Sequence, residues 1–341
     1  MASEIPVIAA HAPSARQPEV NYGRAIARVA EAMVMLQITS TNTSIKKLLN
    51  TVIAGDAYDL FGLLPADCVD LIITSPPYWG HRDYALKHNW KQFNDISRVR
   101  KIGTRSPGYA WYRSQGGILG LEPYPEWYVA HLTEIFQRAF ACLKPHGSMW
   151  INLGDTYFAR WSSIRNNGRQ GFADKERKRR KTPMGGFRAE KQLLLVPSRF
   201  AIAMQENKWI LRNDLIWHKP NALPLREGDR LNLAHEHFFH FVKKPKYGRA
   251  KYYYDTTALE TRQTDVVAVL VKPGDDGHTA TFPKQLIKPR ILSCCPPSGV
   301  VLDPFCGTGR ALEVALESGR NALGFELQEK FAETASRRLK K

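Results

Sequence analysis

The residues best suited to chemistry in this chain stand together in Thr74-Ser75-Pro76-Pro77-Tyr78-Trp79. Two successive prolines supply no backbone N–H, so their surroundings offer hydrogen-bond acceptors only. A planar substrate bearing an amino group fits this composition: Tyr78 can stack on its ring while Ser75 Oγ and the Pro76 carbonyl accept the amine protons. The plain alternative is a proline turn that ends a strand and is capped by surface aromatics. A second stretch, Asp303-Pro304-Phe305-Cys306-Gly307-Thr308-Gly309, is a glycine-rich turn that lets backbone approach a ligand at a helix N-terminus. It lacks the third glycine of a dinucleotide fingerprint and has no lysine for a phosphate, so a nucleoside without pyrophosphate suits it better. Glu326 closes the strand that follows, where an acid accepts hydrogen bonds from ribose hydroxyls. His235, His237 and His240 invite a metal reading, but on a strand the first two share one face and the third takes the other, which argues against convergence on an ion.

The elements that must position these groups alternate between strand and helix. The run Val69 to Ile73, apolar apart from Asp70, reads as a buried parallel strand that Pro76 forces to end, leaving Ser75 to Trp79 as a rigid tip at its carboxyl end. Thr51 to Ala54 is a strand ending in Gly55-Asp56. Apolar residues from Tyr128 to Leu143 recur at helical spacing, and Lys144-Pro145-His146-Gly147 is expected to stop that helix before a strand from Ser148 to Leu153. Pro197 to Lys208 reads as a helix, Leu211 to Trp217 and His237 to Val242 as strands, and Pro283 to Leu292 as a short helix. Gly299 to Leu302, the glycine turn, the helix Arg310 to Ser318 and the strand Asn321 to Phe325 complete a β-turn-α-β unit. The alternation predicts an α/β fold with a doubly wound, mostly parallel sheet.

The 341 residues carry 43% hydrophobic and 24% charged residues, ordinary for a globular protein, but the net charge of +17 is not ordinary. Fourteen of those charges fall in His81 to Ser114 and Thr156 to Lys191, so the excess belongs to two segments and points to a polyanion, nucleic acid before membrane. No stretch is apolar enough to span a bilayer. Five cysteines without a CxxC pair fit reduced thiols in a cytoplasmic protein. Residues 1–45 read as a loosely held arm and a helix, Gly23 to Leu36, ahead of one catalytic domain over 46–341.

Six stretches in order, Gly55-Asp56, Thr74 to Trp79, Leu153-Gly154-Asp155-Thr156-Tyr157, Trp217-His218-Lys219-Pro220-Asn221, His278 to Pro283 and Asp303 to Gly309, are similar to the motifs of the β-group DNA amino-methyltransferases. The resemblance covers roughly residues 50 to 341. It implies the class I methyltransferase fold with a seven-stranded sheet and a permuted order, the catalytic motif preceding the cofactor motif, and S-adenosylmethionine as donor. By position, Phe305, Gly307 and Gly309 would wrap the donor's methionine part, Asp303 would sit near its amino group, Glu326 would hold its ribose and Asp56 its adenine amine, with Thr281 and Phe282 adding a further contact. Asp56 and Asp155 could equally be helix or turn caps, and Phe282 core. The catalytic group would be Ser75, Pro76, Pro77 and Tyr78, acting on a base flipped out of duplex DNA. Ser before Pro-Pro favours cytosine N4 over adenine N6.

The resemblance also gives the basic segments a role. Arg82, Lys175, Arg177, Lys178, Arg179, Arg180 and Lys181, in basic insertions 81–114 and 156–191, and Lys219 are the expected DNA-binding residues; Arg82, Tyr84, Trp90, Trp111, Tyr112 and Arg113 would fill or flank the vacated duplex, some of the aromatics serving packing alone. A short target-recognition region is expected over 243–277. A partner endonuclease, and a monomeric or homodimeric state, stay open, in a nucleoid-associated protein of bacterial or phage type. An adenine-N6 enzyme, an RNA base methyltransferase and a non-catalytic nucleic-acid-binding module are the competing readings; the intact Ser-Pro-Pro-Tyr and glycine turn speak against the last.

Overall fold

The computed structural model describes residues 45–81, 86–159, 161–163, 179–222, 228–259, 264–271 and 282–340. The expected N-terminal arm and its helix, Arg82, Tyr84, Lys175, Arg177, Lys178 and Thr281 lie outside them.

Ten strands are present among the described residues: β1 (Thr51–Ala54), β2 (Val69–Thr74), β3 (Leu143–Leu153), β4 (Trp161–Ser163), β5 (Arg179–Lys181), β6 (Trp209–His218), β7 (His235–Lys243), β8 (Val266–Ala268), β9 (Val300–Asp303) and β10 (Asn321–Glu326). Eight form one sheet in the order β1-β10-β9-β2-β3-β7-β6-β8, and β4 with β5 makes a separate antiparallel pair. The first five strands of that order are parallel; β7 runs against β3 and β6, and β8 runs parallel to β6. The sheet thus has eight strands where seven were expected, the addition being β8, a three-residue edge strand whose register on Ile216 to His218 is fixed by β6.

β2 is buried throughout, as its apolar run requires, and its side chains feed both faces: Val69 and Ile72 enter one core cluster, Leu71 and Ile73 the other. Asp70 shares this burial, and Lys144 Nζ reaches it at 2.8 Å, His146 Nε2 at 3.2 Å and the Val300 amide at 2.8 Å, so the charge is paired rather than stranded. The strand expected to begin at Ser148 begins at Leu143 instead. The helix Pro125–Cys142 does end there, but the chain enters β3 at once, because Lys144 and His146 are recruited to Asp70 on the neighbouring strand. Helices Pro125–Cys142 and Val196–Glu206 cover one face; Lys284–Cys294 and Arg310–Glu317 cover the other.

From β9 the chain winds outward through β10, and from β2 it winds the opposite way through β3. Neighbouring strands whose connections diverge leave a crevice at their carboxyl ends, which is where open α/β sheets bind ligands. β2 and β9 are such a pair, and they deliver Ser75 and Asp303 to the same edge from opposite ends of the sequence.

Candidate active site

That crevice is a cavity of about 340 Å³ lined by Ser75, Pro76, Pro77 and Tyr78 at the end of β2, by Asp303, Phe305 and Gly307 at the end of β9, by Glu326 at the end of β10, by Asp56 after β1 and by Phe282. Such a volume lies in the range of small-molecule and cofactor sites. Eleven of the twelve residues named as catalytic or donor-binding, all but Thr281, are within the described residues, and ten of those eleven line this one cavity.

The exception is Gly309. Its φ of +83° is left-handed, and a Cβ there would stand 2.9 Å from the Cβ of Ala335 on the closing helix Glu329–Arg338. It therefore serves packing and starts the helix Arg310–Glu317, and it does not wrap the cavity. Gly307, at φ +53°, is the opposite case: a Cβ there meets no protein atom within 4 Å, and its amide donates to Glu326 Oε2 at 2.9 Å. Glu326 accepts a second amide, from Gln328 at 2.9 Å; burial raises its carboxyl pKa against these backbone bonds. Asp56 is a helix cap, as the alternative reading had it, accepting from the Tyr58 amide at 2.9 Å. It also accepts from Tyr109 Oη at 2.9 Å and faces Arg113 Nη1 at 3.2 Å. Arg113 makes a bidentate bond to Asp59 as well, and Tyr112 is fully buried against His131. Both were expected beside the duplex; the structure uses them to build the wall behind the cavity.

Asp303 is buried and accepts from Thr74 Oγ1 at 2.6 Å and from the Phe305 amide at 3.1 Å. Burial pushes its carboxyl up to about 7, outweighing those two bonds, with the Glu326 charge adding in the same direction. An unfolded aspartate loses its proton near 3.9, so between about pH 4 and pH 7 the folded state binds more protons than the unfolded one. Stability contributed at acid pH is therefore lost as pH rises through that window. Thermal melts of the wild type are expected to fall in Tm from pH 5 to pH 7.5, and Asp303→Asn to flatten that slope; an equal slope in the variant would remove Asp303 as its source.

The loop after β2 is braced from behind by residues that the motifs did not mark. Tyr128 Oη donates to the Pro77 carbonyl at 3.0 Å, the Gly80 amide donates to the Gly120 carbonyl at 2.7 Å, and Trp79 Nε1 donates to the Glu122 carbonyl at 3.0 Å. Glu122, fully buried, accepts from the Gly120 amide at 2.8 Å and faces His131 Nδ1 at 3.1 Å. Gly120 stands where a Cβ would come within 3.1 Å of the Tyr78 carbonyl. Gly154 has a similar reason: a Cβ there would lie 2.9 Å from the Tyr78 ring, so the glycine of Leu153-Gly154-Asp155 makes room for the aromatic. Asp155 is a cap, accepting from the Val196 amide at 3.0 Å at the start of the helix Val196–Glu206.

Tyr78 is held at its hydroxyl. Ser75 Oγ donates to it at 3.2 Å, and it donates to Glu236 Oε2 at 2.8 Å or to Asn152 Oδ1 at 2.9 Å. Burial and the Glu236 charge raise its pKa well above the ordinary tyrosine value, so it stays protonated. Lys219 forms an ion pair with Glu236 and lies 4.5 Å over the Trp217 ring. It is thus engaged in the cavity wall beside Tyr78. His237 pairs with Asp214 at 3.0 Å, whereas His240 is buried on the other face, stacked on Trp150 at 4.6 Å and pushed down to about 3 by burial.

The expected recognition region is split by the sheet. Because β7 runs against β3, residues from Lys243 onward leave at the end of the strands opposite the cavity, and the Tyr253 amide bonds the His146 carbonyl there. Residues 260–263 and 272–277 lie outside the described residues; of the others, Val269 accepts from Trp217 Nε1 at 2.8 Å, and Val271 exchanges two bonds with the Asn221 side chain beside the cavity.

Residues 69–337 match the family model described as DNA methylase, of the N6/N4 type. The chain belongs to this family of DNA amino-methyltransferases. Among curated relatives, the Type II methyltransferase M.Cfr9I of Citrobacter freundii is 33% identical, over 85% of this chain and 87% of its own length. M.SmaI of Serratia marcescens is 31% identical, over 84% and 90%. Among solved structures, the PvuII DNA methyltransferase (cytosine-N4-specific) superposes with a TM-score of 0.58 at 18% identity, over 84% of this chain and 85% of the other. TTHA0409 of Thermus thermophilus, complexed with S-adenosyl-L-methionine, superposes at 0.51 and 22%, over 85% and 92%. These neighbours share the class I methyltransferase fold. As a methylase of this family the chain takes its methyl group from S-adenosylmethionine, and the cavity fits that donor: carboxylates at Asp56, Asp303 and Glu326, an aromatic at Phe305 and an open glycine at Gly307. No helix among the described residues is long and apolar enough to cross a membrane.

Proposed function

We propose that the protein methylates the N4 amine of a cytosine flipped out of duplex DNA at a specific sequence. The observation that carries the choice of base is Ser75. Its hydroxyl proton is committed to Tyr78 Oη, so its oxygen presents lone pairs to the cavity, where a neutral acceptor can orient an amine without a full negative charge. S-adenosylmethionine supplies an electrophilic methyl group on a sulfonium. The protein's share is alignment: Tyr78 stacks on the base, and Ser75 and the Pro76 carbonyl turn the amine so that its lone pair faces the donor. Phe305 and Gly307 would hold the donor's methionine part with Asp303 near its amino group, Glu326 its ribose, and Asp56, Thr281 and Phe282 its remaining contacts. Sequencing that resolves modified bases, applied to DNA from cells expressing the protein, should report N4-methylcytosine within one recurring motif; a recurring adenine signal instead would overturn the choice of base.

The basic segments 81–114 and 156–191 are proposed as the DNA-facing insertions, with Arg82 beside the catalytic loop and Lys175 to Lys181 along the phosphates. A segment with six cations, one acid and almost no apolar residue attracts a backbone and reads little sequence. Replacing Arg177, Arg179 and Arg180 by Gln is expected to weaken specific and non-specific duplex binding alike, and to flatten the log–log salt dependence by about 0.9 for each phosphate no longer neutralised. The methylated motif stays the same. Relaxation at one base of the motif is the contrary result, because a bidentate arginine–guanine pair discriminates by about 1–3 kcal/mol.

A further inference from the structure

Methyl transfer to an exocyclic amine leaves a cationic nitrogen whose proton must depart, and the groups assembled around Tyr78 supply a route. We propose that Glu236 is the terminal acceptor of a proton wire running from the target amine through Ser75 Oγ and Tyr78 Oη, with Lys219 holding the acceptor in place. The proposal rests on the methyltransferase reading above.

The hydrogen bonds point in one direction. Tyr78 has a single proton, and a charged carboxylate at 2.8 Å outcompetes the Asn152 amide oxygen at 2.9 Å for it. Asn152 is itself fixed by donating from Nδ2 to the His237 carbonyl at 3.0 Å. With the Tyr78 proton directed to Glu236, the Ser75–Tyr78 bond of 3.2 Å has Ser75 as its donor, and Ser75 Oγ is left as an acceptor facing the cavity. Lys219 occupies the other carboxylate oxygen, so Oε2 is the one turned to Tyr78. The elevated pKa of Tyr78 suits a relay that keeps its own proton at rest.

The balance closes. As the methyl carbon leaves sulfur for nitrogen, the amine proton passes to Ser75, the Ser75 proton to Tyr78 and the Tyr78 proton to Glu236. The products are a neutral methylamine, a neutral thioether and a protonated Glu236, with Ser75 and Tyr78 unchanged. A sulfonium and a carboxylate charge are removed together, so the net charge of the group is unchanged, and Lys219 is left as the cation beside a neutral Glu236. Proton departure thereby relieves the positive charge that develops on nitrogen during attack.

The test is single-turnover methyl transfer with saturating donor and duplex, comparing wild type, Glu236→Gln, Tyr78→Phe and the double variant. Gln keeps the acceptor oxygen and Phe keeps the ring, so both preserve stacking while breaking the wire. Each is expected to slow transfer about 100-fold, at the low end of acid–base effects. The double variant should be no more than about threefold slower than either, as for groups acting in one chain. Donor Kd and the KM for duplex should stay within about threefold. An active wild type with Glu236→Gln above half its rate, with a loss confined to KM, or with multiplicative double-variant losses, overturns the wire alone. A wild type that labels no base in the same assay overturns both it and the reading beneath it.

Discussion

Tyr78→Ala is expected to slow single-turnover methyl transfer by about 10³- to 10⁴-fold while leaving donor affinity within about threefold. Two losses add. Stacking of a base on an aromatic is worth about 1–3 kcal/mol, and each tenfold of rate corresponds to about 1.4 kcal/mol. The hydroxyl's bonds to Ser75, Asn152 and Glu236 go as well, so Ser75 loses the partner that turns its lone pairs to the cavity. The donor end is spared because Phe305, Gly307 and Glu326 belong to the turn after β9 and the end of β10, which share no hydrogen bond with Tyr78. Calorimetry with S-adenosylmethionine and a rapid-quench transfer assay read the two quantities separately. Loss of donor binding with transfer preserved at saturating donor would reverse the assignment of the two ends of the cavity.

Gly307→Val is expected to produce the complementary phenotype, with donor affinity down by at least about 100-fold and duplex binding largely kept. The native φ of +53° is hostile to a β-branched residue, at about 1–3 kcal/mol for a strained backbone position. A shifted turn also gives up the Gly307 amide bond to Glu326. The protein leaves the space over Gly307 open, so a branched side chain there is met by whatever occupies the cavity. Gly309→Ala provides the contrast: its Cβ would collide with Ala335, so its expected cost is thermal stability, seen as a lower Tm, and not donor affinity. Unchanged donor affinity in a folded Gly307→Val protein would remove the basis for a donor site at this turn.

The part of this site that could be read in the sequence is the part built from short local signals. A strand ended by Pro-Pro, a glycine turn before a helix and an acid at the end of the next strand each declare themselves within a few residues, and the alternation of apolar runs placed them at one edge of a parallel sheet. What the sequence could not give is pairing across distance. Glu236 stands beside three histidines and drew no notice, because only β7 lying against β3 brings it to Tyr78. Gly120 and Glu122 brace the loop after β2 through backbone carbonyls, which any residue type could have supplied, and Tyr128 does so through a hydroxyl that reaches the Pro77 carbonyl from a distant helix. Arg113 and Tyr112 looked like a nucleic-acid surface because basic and aromatic residues alternate there; burial against Asp59 and His131 could be known only from the fold. The pairing of Lys219 with Glu236, 17 positions away, was equally invisible in the sequence.

What the cavity does to a base decides the matter most directly. Purified protein should be incubated with duplex DNA and isotope-labelled S-adenosylmethionine, the DNA digested to nucleosides and the label located by mass spectrometry, with Tyr78→Ala as the control. The predicted product is N4-methyldeoxycytidine, strongly reduced in the control; label found only in N6-methyldeoxyadenosine, or equal label from the Tyr78→Ala protein, would contradict it.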